Sequence, residues 1–130
     1  MYNAKTVKIS SVQAAAAAIS KIGVSQDCIR IMRDKAVFRL VKLRNVRNAV
    51  ANILKQEMLA SGADATVSQW TVNCSRPATD VLLMGTLQHY KRLIAKMRMQ
   101  AAHLPGGKKE EYKAISEEIS AALKKDLQQA

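Results

Sequence analysis

A chain of 130 residues, 48% hydrophobic and with only one Phe, one Trp and three Tyr, has room for one domain built on an aliphatic core. Its 21 Lys and Arg against 10 Asp and Glu leave a charge of +11, which suits an acidic partner: nucleic acid, a phosphorylated small molecule or an acidic protein face. No apolar run approaches the roughly 18 residues of a membrane span, the N-terminus MYNAKTVKIS has no apolar signal core, and Cys28 and Cys74 have no CxxC partner. A soluble, cytoplasmic chain with reduced, partly buried thiols is expected.

In chain order, Lys5–Ile9 reads as a short strand with Val7 and Ile9 on one face. Ser10 and Ser11 offer an N-cap to a helix over Val12–Ile22, whose stripe is Val12, Ala15, Ala16, Ile19 and Ile22 and whose stop is Gly23. Asp27–Lys35 fits either a short strand or one helical turn. Ala36–Leu43 is apolar at Val37, Phe38, Leu40, Val41 and Leu43, the nearly continuous pattern of an interior strand. Val46–Gly62 then reads as the helix that organises the chain. Val46, Ala49, Val50, Ile53, Leu54 and Met58 share one face, Asn45 is the expected N-cap, and Gly62 is the expected left-handed stop.

Ala63–Val72 reads as a strand and Asn73–Pro77 as a turn. Asp80–Met84 is a short buried strand, and Gly85-Thr86 a tight junction with Thr86 as N-cap. Leu87–Gln100 is a helix, Pro105-Gly106-Gly107 a break, and Glu110–Leu127 a final helix with the stripe Tyr112, Ile115, Ile119, Leu123 and Leu127. The expected architecture is a small α/β sandwich: a mixed four-stranded sheet with about four helices. An α/β domain over residues 1–104 carries an appended C-terminal helix over 105–130.

Two features stand out as site candidates. The outer face of the organising helix carries Asn48, Asn52, Lys55 and Gln56, a row of amides beside one fixed cation. The ordinary explanation of such a row is a solvated face. The two strand-to-helix junctions, at Arg44-Asn45 and Gly85-Thr86, would share a sheet edge if their strands were parallel neighbours. Their helix N-termini would then converge, with Arg44 and Asp80 nearby, on a small anionic ligand. No metal-ligand spacing, nucleophile signature, glycine-rich phosphate loop or paired carboxylates are evident, so no metal, cofactor or catalytic residue is assigned.

Several stretches resemble one family. They are Ile31-Met32 with Lys35-Ala36, Lys42-Leu43, the block ANILKQEML with Gly62, the block TDVLLMGT from Thr79 to Thr86, and Lys96-Met97 with Gln100. Together these are similar to the N-terminal domain that precedes the catalytic barrel in one branch of dihydropteroate synthases. The resemblance runs from Val7 into the last helix, and the two blocks are its specific parts. One departure is Ala63, where the family often has a second Gly. The resemblance implies a link to folate and pterin metabolism but not the activity. The barrel that performs it needs about 250 residues, and MGTLQHY shares only Met-Gly with that barrel's opening loop. The resemblance places Asn52, Lys55, Gln56, Asp80, Gly85 and Thr86 at the same site candidate.

The first functional expectation is therefore a non-catalytic accessory domain that binds a dihydropteroate synthase barrel or a small anionic ligand. The alternatives are a basic nucleic-acid-binding module, for which Trp70 and Tyr90 are a thin supply of stacking groups, and a small enzyme acting on an anionic substrate. No membrane partner is expected; a homo-oligomer stays open.

Overall fold

A computed structural model describes residues 1–71, 73 and 75–129. Its elements are α1 (Val12–Ser20), α2 (Gln26–Met32), a 3-10 turn (Arg33–Lys35), β1 (Phe38–Arg47), α3 (Asn48–Ala60), β2 (Asp64–Val67), β3 (Ala78–Thr86), α4 (Leu87–Ala101) and α5 (Gly106–Gln129). The class is α/β. Among the described residues the sheet has three strands in the order β1-β3-β2, and both pairings are antiparallel. This replaces the mixed four-stranded sheet expected from the sequence. β1 and β2 run in the same direction and are joined through α3, but β3 lies between them.

The missing strand is the first one. Residues 5–9 join no strand, and residues 1–8 are exposed, although Ile9 packs against the core. The ambiguous stretch after Gly23 resolves as helix. Ser25 caps α2 by accepting from the Cys28 N–H at 3.2 Å, and a 3-10 turn carries the chain into β1. Cys28 is a half-buried free thiol, while Cys74 lies outside the described residues.

A bulge explains why β1 outruns its expected end. The register passes from Leu43 opposite Val81 to Val46 opposite Thr79, so β1 carries one residue more than β3 over this stretch. Asn45 sits there with φ 53°, a left-handed conformation that Asn tolerates better than most residues. The extra residue flips the strand's parity. Val41 and Leu43 point inward before it, and Val46 points inward after it. Val46, expected as the first residue of the helix stripe, thus belongs to the bulged strand. Asn45 is not an N-cap, and α3 begins at Asn48 instead.

Helices cover one side of the sheet. Val50, Leu54 and Met58 of α3, Tyr90, Leu93 and Met97 of α4, and Tyr112, Ile115, Ile119 and Leu123 of α5 join Val41, Leu43, Ala65, Val81 and Leu83 in one core. Tyr90 is fully buried, and its hydroxyl lies 2.7 Å from Arg39 O and 3.0 Å from Leu83 O. Burial pushes this phenol far above its usual range, so it stays a neutral donor. α5 packs on α4 and runs past the outer edge of β1. Among the described residues no helix is long and apolar enough to cross a membrane.

Candidate functional site

The antiparallel sheet separates the two junctions expected to form an anion pocket. Thr86 lies opposite Phe38, while Arg47 lies opposite Ala78. The start of α4 and the start of α3 are therefore about eight strand steps apart, or about 26 Å. The residues around them have structural duties. Thr86 accepts from the His89 N–H, and His89 Nδ1 accepts from the Thr86 N–H at 2.9 Å, a capping box closed by a histidine. Gly85 is buried under this cap. A Cβ there would meet His89 Cβ and Met58 Cε at 3.1 Å, so the glycine serves close packing.

At the other end, Asn48 is buried, and its amide donates to Arg76 O while its backbone N–H donates to Pro77 O. These bonds tie the start of α3 to the entry of β3. Asp80 accepts from the Asn45 N–H at 3.0 Å and stands 3.9 Å from Lys42 Nζ, so it pins the bulge. Arg44 is exposed beside that bulge, on the outer edge of β1.

The amide row is divided as well. Lys55 turns away to Asp64 at 3.1 Å and to Ala65 O at 2.7 Å, which fastens α3 to β2. The Ala65 N–H and Lys55 together hold the Asp64 carboxyl below its ordinary pKa. Asn52 and Gln56 remain together in a groove of about 560 Å³ with Gln100, His103 and Tyr112. Burial, and next the Glu111 charge, raise the Tyr112 phenol, so it is neutral there. Glu57 at this groove is paired with Lys96 at 2.9 Å. With Lys55 committed elsewhere, the row lacks the fixed cation that an anion site needs. Among the described residues no His, Cys, Asp and Glu gather into a group that could hold a metal.

A different surface emerges from the fold: the face of the sheet away from the helices. Its side chains alternate with those of the core. Phe38, Leu40 and Lys42 come from β1, Asp80, Leu82 and Met84 from β3, and Asp64 and Thr66 from β2. The register sets them in rows. Leu40, Met84 and Asp64 are lateral neighbours, as are Lys42, Leu82 and Thr66. Phe38 and Leu40 remain 56% and 57% exposed. The centre of this face is apolar and its margins are charged. At one end Arg76 stacks over Trp70, 3.7 Å from the ring centroid. Sequence reasoning took Phe38 and Leu40 for interior residues. The expected interior strand is instead an edge strand, apolar on both faces. The described chain covers only one.

Taken together, the fold and this face define a two-layer α/β domain whose antiparallel sheet is helix-covered on one side and bare on the other. No family model, curated protein or solved structure matches the chain.

Proposed function

We propose that this chain is a non-catalytic accessory domain, related to the N-terminal domain of one branch of dihydropteroate synthases, that docks onto a partner domain through the bare face of its sheet. The observation that carries this reading is the pair Phe38 and Leu40, together with Leu82 and Met84, on a face that nothing in the described chain covers. Contiguous exposed apolar patches rimmed by polar groups are a mark of interaction surfaces, protein contact sites among them. Burying the exposed half of Phe38 and of Leu40 would contribute about 1–1.5 kcal/mol each before the cost of association. Lys42, Asp80, Asp64 and Arg76 at the margins supply orientation more than affinity.

The resemblance suggests the partner's class, a (β/α)8 barrel of the dihydropteroate synthase type. Mixing the chain with such a barrel stripped of its own N-terminal domain should give a complex detectable by light scattering on a sizing column. Leu40→Glu should abolish it without disturbing the circular dichroism. A barrel that ignores the chain, or a complex indifferent to Leu40→Glu, would contradict the proposal.

A further inference from the structure

Three independent features meet at the outer edge of β1. β1 is an edge strand, so alternate N–H and C=O groups along it face away from the sheet. α5 runs past this edge without closing over it. It is pinned at one end by Arg39 to Asp126, at 2.6 Å, and at the other by Arg47 to Glu111, at 2.9 Å. Between these two struts lies a slot of about 590 Å³, walled on the helix side by Ala114, Glu118, Ala121 and Ala122. The third feature is the unused strand pattern of residues 5–9, which leaves Val7 64% exposed.

We propose that residues 5–9 close onto their own chain as a fourth, antiparallel strand, filling the slot between the β1 edge and α5. The root of this strap is already in place. Ser10 O accepts from the Arg39 guanidinium at one end of the slot, and Ile9 packs against the core. From that root, five extended residues reach about 17 Å along β1, bringing Lys5 about level with Leu43. The strap then runs against β1 in the same antiparallel sense as β3.

Side-chain parity fits the slot. Lys5, Val7 and Ile9 share one face, and half-buried Ile9 fixes that face as the helix side. Val7 then meets the wall near Ala122, where small side chains leave room. Lys5 approaches Glu118, which forms no ion pair among the described residues. Thr6 and Lys8 fall on the bare face beside Lys42 and widen it by one strand. Lys8 beside Lys42 is the unfavourable contact, moderated by Asp80. Closure would cover about half of a ten-residue edge that otherwise invites pairing with other chains. It concerns the edge of the sheet, and so stands whether or not the bare face docks a partner.

The test is amide hydrogen exchange on the full chain, beside a disulfide trap. The alternate amides of residues 5–8 that face β1 should exchange at least tenfold slower than in the same sequence as a free peptide. Val7→Pro, or Ala122→Trp filling the slot, should restore the peptide rate. In a Cys28→Ser, Cys74→Ser background, Val7→Cys with Ala122→Cys should oxidise to a disulfide within one chain. Free-peptide exchange at residues 5–8 would overturn the proposal. So would protection that survives Val7→Pro, or a disulfide formed only between two copies.

Discussion

The two faces of the sheet are made by the same strands with similar apolar content, yet they stand in different surroundings. On the helix side, Val41, Leu43, Val81 and Leu83 are buried in a continuous core. On the other side, Phe38 and Leu40 meet solvent one residue away along the same strand. A chain that needed only to fold would place polar residues there, as antiparallel sheets with one solvated face commonly do. The contrast separates residues that hold the domain together from residues available to hold something else.

Truncating one leucine on each face should expose this difference most sharply. Leu83→Ala, at a fully buried position, should cost about 2–5 kcal/mol in urea unfolding. Leu40→Ala should stay within about 0.5 kcal/mol. Equal losses would mean that the second face is covered in solution. The junctions that terminate the covered face come next. Thr86→Ala removes the capping hydroxyl of α4 and should cost about 1 kcal/mol. α3 has no side-chain cap to lose at Arg47. Asn45→Val should cost about 1–2 kcal/mol, because the bulge requires a left-handed residue, whereas Asn45→Gly should be nearly neutral.

The smallest effect is a pH dependence at the margin of the bare face. The Asp64 carboxyl has a folded pKa below its unfolded one. Its contribution is therefore present above the unfolded value of about 4 and is lost as pH falls through the folded value. Unfolding midpoints measured down through that range should fall less steeply in Lys55→Met than in the parent chain.

Much of the helical layer is legible in the sequence, because α4 and α5 each carry an uninterrupted apolar stripe and Thr86 stands where a cap belongs. The sheet is harder to read for identifiable reasons. The bulge at Asn45 turns Val46 inward out of step with Leu43, so the end of β1 reads as the start of the helix stripe. The expected strand Ala63–Val72 ends at Val72, which lies outside the described residues; among those described only Asp64–Val67 are strand, since the chain turns at Ser68 and Thr71. The direction of β3 carries no local signature, and it alone decides that Thr86 and Asn48 lie at opposite ends. Two side chains divide the candidate row: buried Asn48 bonds Arg76 O, and Lys55 bonds Asp64 and Ala65 O, contacts that no helical wheel reveals. Asn52 and Gln56 do share a groove, as their spacing implies.

The most direct test of the bare face is methyl NMR of the chain, labelled at Leu and Met, during titration with the barrel domain. Leu40, Leu82 and Met84 should shift or broaden, while buried Leu54 and Leu83 and the exposed helix residues Leu59 and Met99 stay in place. Perturbation centred on Leu59 and Met99, with Leu40 and Met84 unmoved, would contradict the account.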